Sequence, residues 1–535
     1  MHSATDLPGR PSLQDGAMDV PVHEIAIGEA LRAAVDRWPA GQALVSADPV
    51  PALRVRWTFS ELLRYAERSA WTLLARFRPG DHVALWSPNC AQWVFIELGA
   101  ALAGITLVTV NPGLTSGELT HVLGQSRARG VIFWPVYRGR DLASAVAQAR
   151  PALPDLRDAI SMDEWNALVA DAQPASLPRV RPDDIAQIQY TSGTTGFPKG
   201  AELTHRGLAN DARFYAAAIG AVPGDVWINP MPMFHTAGCG LVTLGALQTG
   251  GTHVLPPAFD PALMLELLES ERGTIVLSVP TMLIRMLDEP GIRQRDLSTW
   301  RLATLGGAPV PPELVRRAQA LGPLKVCIGF GQTESSPYIT HTTPADPHPE
   351  WWLTVGRPLP RTAVKVIDPD TGAVVPRGVV GEICARSCCV MRGYHLDPEA
   401  TARALDADGW LHTGDLASMD EYGYLRIQGR LKDMIIRGGE NIYPREIEDV
   451  LFTHPAVAGA AVIGVPDVEW GEVLVSFVQL RAGNSTTPRE LEEFCRTQLA
   501  SYKVPRQWQF VESFPQTASG KVQKFALRAQ WLGTP

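Results

Sequence analysis

The sequence predicts an α/β fold carried by parallel sheets, followed by a smaller α+β unit. Three observations predict it. Strand-length apolar runs alternate with helical runs between about residues 82 and 331, glycines and hydroxyls collect just after those runs, and the texture changes to short strands and turns after about residue 355. Strands that alternate with helices form parallel sheets covered on both faces. Ligands in such folds gather where strands end and loops open, which is where the glycines lie here.

Taken in order, "HVALW" (82–86), a helical run from about 90 to 103 and "ITLVTV" (105–110) make a strand, helix, strand unit. "GVIFW" (130–134) follows one more helical segment. The rhythm returns with "THVLP" (252–256), a helix near 261–271, "TIVLSV" (274–279), a helix near 281–287, "RLATLGG" (301–307), a helix near 311–321 and "LKVCIGFG" (324–331). Then come short strands broken by turn residues, as in "AVKVIDPDTG" (363–372) and "VVGEICAR" (379–386). From Lys432 onward, a helix starting at Pro444, strands near 460–465 and 473–480, and a helix near 488–500 read as a separate small unit. The expected organisation is a loose tail over 1–20, a large domain over 21–431 and a C-terminal domain over 432–535. There is no repeat of solenoid spacing.

Hydrophobic residues make up 45% of the 535 positions and charged residues 19%, an ordinary globular balance. A net charge of −8 argues against broad nucleic-acid binding but leaves room for a local basic site. The N-terminal stretch has prolines, acids and no apolar core, so it is no signal peptide and the expected compartment is the cytoplasm. Residues 226–259 lack Asp, Glu, Lys and Arg. Asn229, Pro230, Pro232, His235 and many glycines interrupt them, which favours a buried pocket lining over a membrane span. Peripheral membrane contact and a homodimer stay open. Of seven cysteines, Cys384, Cys388 and Cys389 form the one cluster, and the spacing reads as reduced, packed thiols rather than a zinc site.

"YTSGTTGFPKG" (190–200) sets glycines and hydroxyls in front of one lysine. Close-set glycines let backbone N–H groups approach an anion, so this is a phosphate cradle. It departs from the P-loop pattern: Lys199 falls in place relative to Gly193, but Pro198 stands where glycine is needed and Gly200 replaces the Ser or Thr that would hold Mg²⁺. The loop therefore grips nucleotide without supplying the metal ligand. A carboxylate must come from elsewhere, and "GFGQTESSP" (329–337), after an apolar strand, offers Glu334 beside Thr333.

These two loops occur in order with "PMFH" (232–235), "LGGAP" (305–309), "TGD" (413–415), "GRLKDMI" (429–435) and "SGK" (519–521). Together they resemble the adenylate-forming superfamily of acyl-CoA synthetases, peptide-synthetase adenylation domains and beetle luciferases, from about Ile27 to Arg528. The resemblance implies a large N-terminal domain of stacked sheets with a barrel-like part, hinged to a small mobile C-terminal domain. It assigns Thr191, Ser192, Thr194, Thr195 and Lys199, with Gly193, to the β- and γ-phosphates. Gly307, Ala308 and Phe330 match the adenine slot, with Gly331 and Gln332 in the same nucleotide-binding loop; Phe330 stands where the family more often has tyrosine. Thr333 would meet the α-phosphate, Glu334 would hold Mg²⁺, and Asp415 would take the ribose diol with Arg430 beside it. Lys521 matches the lysine that bridges the substrate carboxylate and the α-phosphate. Lys432 matches the hinge, Gly438 and Gly439 the pantetheine tunnel, and His235 the gate of the acyl pocket.

The chemistry requires such residues. A carboxylate must attack an α-phosphate that is itself anionic, so cations must suppress the repulsion. Around His235 the sequence supplies Gly238, Cys239, Gly240 and Leu241, with "SVPTM" (278–282) adding small and apolar residues. No acid in these stretches could pair a substrate ammonium, and an unpaired buried charge is costly. The expected substrate is an apolar carboxylic acid, most like a medium- or long-chain fatty acid, activated with ATP and transferred to CoA. A stand-alone acyl-AMP ligase loading a carrier protein and an aryl-CoA ligase remain alternatives. So do a P-loop-like NTPase, which would release phosphate instead of AMP, a luciferase-type oxygenase, and a dead scaffold, which should have lost Lys521, Glu334 or Asp415.

Overall fold

The computed structural model describes residues 9–191, 198–438, 440–516 and 522–533. The chain divides into two compact units. The larger comprises Asp15–Ala363 and Ala385–Leu411, the smaller Met1–Gln14, Val364–Cys384 and His412–Pro535.

Among the described residues the larger unit carries two large sheets and a two-stranded hairpin, Val136–Tyr137 with Arg140–Asp141. In the first, five parallel strands run in the order Ile185–Thr191, Thr106–Val110, His82–Trp86, Gly130–Phe133, Asp158–Ser161. Lys199–Thr204 and then Gly393–Tyr394 extend it antiparallel beyond Ile185–Thr191. The second sheet has nine strands: Lys325–Gly331, Leu302–Leu305, Ile275–Ser278, Val226–Ile228, Thr252–Leu255 and Gln42–Ser46 are parallel, with antiparallel strands at both ends. Thr106–Val110 and Leu302–Leu305 are buried at every position, as central parallel strands must be when both faces are covered. The helix Ala91–Ala103 is buried nearly all round and closes on Gly104 in the left-handed region, φ 65°. One acid, Glu97, is carried inward with it. The strands and helices read from the sequence fall within a few residues of these bounds, because parallel strands buried on both faces write themselves as unbroken apolar runs.

One stretch differs from the sequence reading, and a second, read as buried lining rather than a membrane span, takes a form the sequence did not specify. The tail expected to be loose over 1–20 is held from Pro11 onward: Leu13–Asp15 is the edge strand of a five-stranded sheet, and Ser12 exchanges main-chain bonds with Val375 and Val366 (2.9 and 2.8 Å). Edge pairing through the main chain over three residues leaves no side-chain pattern to read. Residues 226–259 form a strand, a π-helical segment Ala237–Leu244, a short helix Gly245–Thr249 and a second strand. Among the described residues no helix is long and apolar enough to cross a membrane.

In the smaller unit, Ala363–Ile367, Val380–Arg386, Leu411–Met419 and Leu425–Arg430 complete the five-stranded sheet. A second sheet is built on the long hairpin Val457–Asp467 and Gly471–Leu480, with Ile435–Arg437, Glu440–Ile442 and Gln507–Phe510 beside it. Helices Pro444–Phe452 and Pro488–Arg496 bury Ile447, Leu451 and Leu491 against Val462 and Val478 of that hairpin. The boundary read at Lys432 lies inside this unit, in the short turn Leu431–Asp433 that follows Leu425–Arg430.

Candidate active site

The loop that bears Glu334 is fixed at both ends. A Cβ on Gly331 would lie 1.8 Å from the Pro337 carbonyl oxygen, so only glycine fits where the chain leaves the strand. Gln332 N and Ser335 Oγ both donate to that same oxygen (2.9 and 2.6 Å), and Tyr338 N donates to Asp211 Oδ2 (3.1 Å). Thr333 and Glu334 are thereby held with their side chains largely buried.

Tyr394 Oη donates to Glu334 Oε1 at 2.6 Å. Burial, then the adjacent carboxylate, push the Tyr394 phenol far above its usual value, so it stays a donor. The Lys199 ammonium lies 5.2 Å from the centroid of the same ring, within range of a cation–π attraction. Lys199 and Tyr394 come together because Lys199–Thr204 pairs with Gly393–Tyr394, Ala201 opposite Tyr394. Glu202 tightens the pairing: its carboxylate accepts from Arg392 Nε (2.9 Å) and bonds His395 Nδ1 (2.7 Å). A phosphate-loop cation and the candidate metal ligand thus share one aromatic neighbour. Sequence reasoning missed Tyr394. Its role comes from a strand pairing across nearly two hundred residues, and the "GYH" that carries it has no local signature.

Leu302–Leu305 and Lys325–Gly331 are adjacent parallel strands, so the loops after them open side by side. A Cβ on Gly306 would stand 2.4 Å from Tyr338 Oη, which lets the Gly307–Ala308 turn come in close. Gly307 takes φ 74°, and Ala308 and Phe330 are half-buried. His235 is half-buried at the foot of the π-helical segment. Asn89 holds that loop by accepting from Met233 N (2.8 Å) and donating to Met231 O (3.0 Å). Gly238, Cys239 and Gly240 follow, all buried; a Cβ on Gly238 would meet Pro232 O at 2.4 Å.

Behind Cys239 lies a buried polar network that the sequence did not disclose. Gln187 donates to Glu97 Oε1 (2.9 Å), and Gln189 donates to both Gln187 Oε1 (2.7 Å) and Cys239 Sγ (3.2 Å). Burial raises the Glu97 carboxyl well above the usual range, and it raises the Cys239 thiol likewise. Burial thus disfavours a charge on this acid, against the hydrogen bond from Gln187.

In the smaller unit Asp415 and Arg430 face each other in register across two antiparallel strands, Arg430 Nε 3.5 Å from Asp415 Oδ1. Glu382 braces the turn before Asp415: Oε1 accepts from Gly414 N (2.9 Å) and Oε2 lies 3.0 Å from His412 Nδ1. Gly438, at φ 59°, donates its N–H to Trp470 O (2.8 Å). The candidate residues are therefore divided. Thr191, Lys199, His235, Gly307, Ala308, Phe330, Gly331, Gln332, Thr333 and Glu334 belong to the larger unit, and Asp415, Arg430, Lys432 and Gly438 to the smaller. Ser192, Gly193, Thr194, Thr195, Gly439 and Lys521 lie outside the described residues.

Residues 31–395 match the family model of the AMP-binding enzymes, and 446–521 that of the AMP-binding enzyme C-terminal domain. YngI of Bacillus subtilis strain 168, provisionally named an acyl-CoA synthetase, is 39% identical over 95% of this chain and 97% of its own. The mitochondrial medium-chain acyl-CoA ligase ACSF2 of Rattus norvegicus is 35% identical over 94% and 87%. The crystal structure of the anthranilate CoA ligase AuaEII with anthranoyl-AMP superposes with a TM-score of 0.87 at 26% identity, covering 96% and 98%. With both models matched and the two-domain α/β fold of adenylate-forming enzymes in place, the chain belongs to the AMP-binding enzyme family, as an AMP-forming acid–thiol ligase of its acyl-CoA synthetase branch.

Proposed function

We propose that the protein activates an apolar, medium-chain carboxylic acid with ATP and passes the acyl group to CoA. The observation that carries the reading is the Lys199, Tyr394, Glu334 arrangement, which sets a cation and a carboxylate on one ring beside the phosphate loop. Lys199 would neutralise the β- and γ-phosphates with Thr191 and the hydroxyls of 192–195. Glu334, with Oε1 engaged by Tyr394, would hold Mg²⁺ through its other oxygen, a hard ligand for a hard cation. Bound there, the metal supplies charge neutralisation for the polyphosphate.

The acid's carboxylate attacks the α-phosphorus and pyrophosphate leaves, giving acyl-AMP. Thr333 would donate to the α-phosphate, Lys521 would bridge it to the attacking carboxylate, and Asp415, oriented by Arg430, would accept from the ribose diol. The CoA sulfur then attacks the acyl carbonyl and AMP leaves, with Gly438 and Gly439 along the pantetheine path. Because Lys521 serves the first step and the Gly438 segment the second, the C-terminal part would turn about Lys432 between them.

An apolar acid is favoured by the surroundings of Cys239, where burial disfavours a charge on Glu97. An aromatic acid is the second reading, favoured by the structural likeness to an anthranilate ligase. A panel of aliphatic acids of graded length and of aromatic acids, scored for AMP release with CoA and with a carrier protein, separates these readings. Best turnover on aliphatic acids with CoA supports the first; aromatic acids outperforming every aliphatic one, or a strict need for the carrier, replaces it.

A further inference from the structure

Cys388 and Cys389 take no part in the chemistry above, yet their setting is unusual. Their sulfurs lie 3.8 Å apart in the segment 387–392 that leads into Gly393–Tyr394. Cys388 is partly exposed and Cys389 is buried. The pair rests on the first turn of the helix His205–Ala218: the Cα of Cys389 is 3.5 Å from where a Cβ would stand on Gly207. That end of a fourteen-residue helix carries the positive pole of its dipole.

The same helix carries Arg206 and Arg213, cations whose charge would favour an anion at Cys388. Arg206 is also paired with Glu24 and Asp183, which temper its charge. Asp211, also on this helix, is held well above the usual carboxylate range by burial, which disfavours a negative charge there. Hydrogen bonding with Cys389 favours the Cys388 thiolate, as do Ser387, the nearby Arg206 and a main-chain hydrogen bond, while burial opposes it. Cys389 is shifted the other way, first by its bond to Cys388 and then by burial, and keeps its proton.

We propose that Cys388, the partly exposed member of the pair, is a reactive thiol and a modification site for hydroperoxides, with the buried Cys389 sulfur beside it as its hydrogen-bonding partner. The Cys388 sulfur attacks the peroxide O–O bond. One oxygen stays on sulfur as sulfenic acid, a two-electron oxidation, and the other leaves as hydroxide or alkoxide and takes up a proton. Across a trans peptide neighbouring Cα atoms are about 3.8 Å apart, shorter than the roughly 4.4–6.8 Å that disulfides span, so closure to Cys389 is strained and the sulfenic acid is the product. The segment is coupled to the site already described, since Met391 N donates to Glu334 O at 2.7 Å.

The test is independent of the ligase reading. The full chain is treated with hydrogen peroxide in the presence of dimedone near pH 7, and adducts are located by peptide mass spectrometry. The control is Cys90, the other partly exposed thiol, whose proton burial holds more tightly. The proposal predicts an adduct at Cys388 forming about tenfold or more faster than at Cys90, and iodoacetamide alkylation of Cys388 with a pH midpoint below that of Cys90. Cys389→Ala should slow both reactions at Cys388 several-fold. Equal rates at Cys388 and Cys90 in the unmodified chain, or an unchanged Cys388 rate in Cys389→Ala, would overturn it.

Discussion

Tyr394 donates its hydroxyl to Glu334 across 2.6 Å while its ring faces the Lys199 ammonium, so one side chain touches both the lysine proposed to meet the phosphates and the carboxylate proposed to hold Mg²⁺. Tyr394→Phe keeps the ring and removes the donor. A buried carboxylate that loses a hydrogen bond costs roughly 1–3 kcal/mol, so acid-dependent adenylation should fall by about ten- to a hundredfold. The Mg²⁺ concentration for half-maximal rate should also move, which a merely structural tyrosine would not produce. An unchanged rate and Mg²⁺ dependence would remove Tyr394 from the site.

Gly331→Ala tests the loop itself. The added methyl would stand 1.8 Å from a backbone oxygen, so the 331–337 segment must shift, and neither partner is a flexible side-chain end. The variant should lose on the order of 2–4 kcal/mol of stability and most of its adenylation. Denaturant titration and AMP release, measured together, check both.

Three buried histidines should make the fold acid-sensitive. Burial lowers His205 and His341 to about 4 and His253 to about 3, so all three are neutral in the folded chain at pH 5, whereas in the unfolded chain they titrate near 6.5. The unfolded state then binds more protons. Their contribution is fully present above about pH 6.5 and is lost as pH falls through about 4 to 3. Near pH 5 they should add about three protons to the uptake on unfolding, and His253→Gln should lower that uptake by about one. No change in the slope of stability against pH for His253→Gln would contradict this.

Most of the fold was legible in the sequence because central parallel strands such as Thr106–Val110 and Leu302–Leu305 are buried throughout and read as apolar runs. The π-helical turn at Ala237–Leu244 was not, since helical periodicity fails there and the glycines that shape it also suit a loop. Candidates could be named from sequence where they sit together on one local loop, as Thr333 and Glu334 do. The site was illegible where partners meet only through strand pairing or packing: Tyr394 reaches Glu334 over sixty residues, and Glu97 meets Gln187 over ninety.

The two-step cycle gives a paired prediction. Proline at 432 would fix φ near −65° and restrict Leu431 as well. Lys432→Pro should keep much of the adenylation rate and lose most thioester formation. Lys521→Ala should lose adenylation by two to three orders of magnitude and still convert supplied acyl-AMP and CoA to thioester. Parallel losses in both half-reactions for both variants would mean that one pose serves both steps.

The most direct test of the central claim is exchange of labelled pyrophosphate into ATP, driven by a medium-chain fatty acid in the absence of CoA. Cleavage at the α-phosphate predicts acid-dependent exchange in the unmodified chain, with Glu334→Gln slower by about a hundredfold or more. Release of inorganic phosphate without AMP and without exchange, across the whole acid panel, would contradict the account.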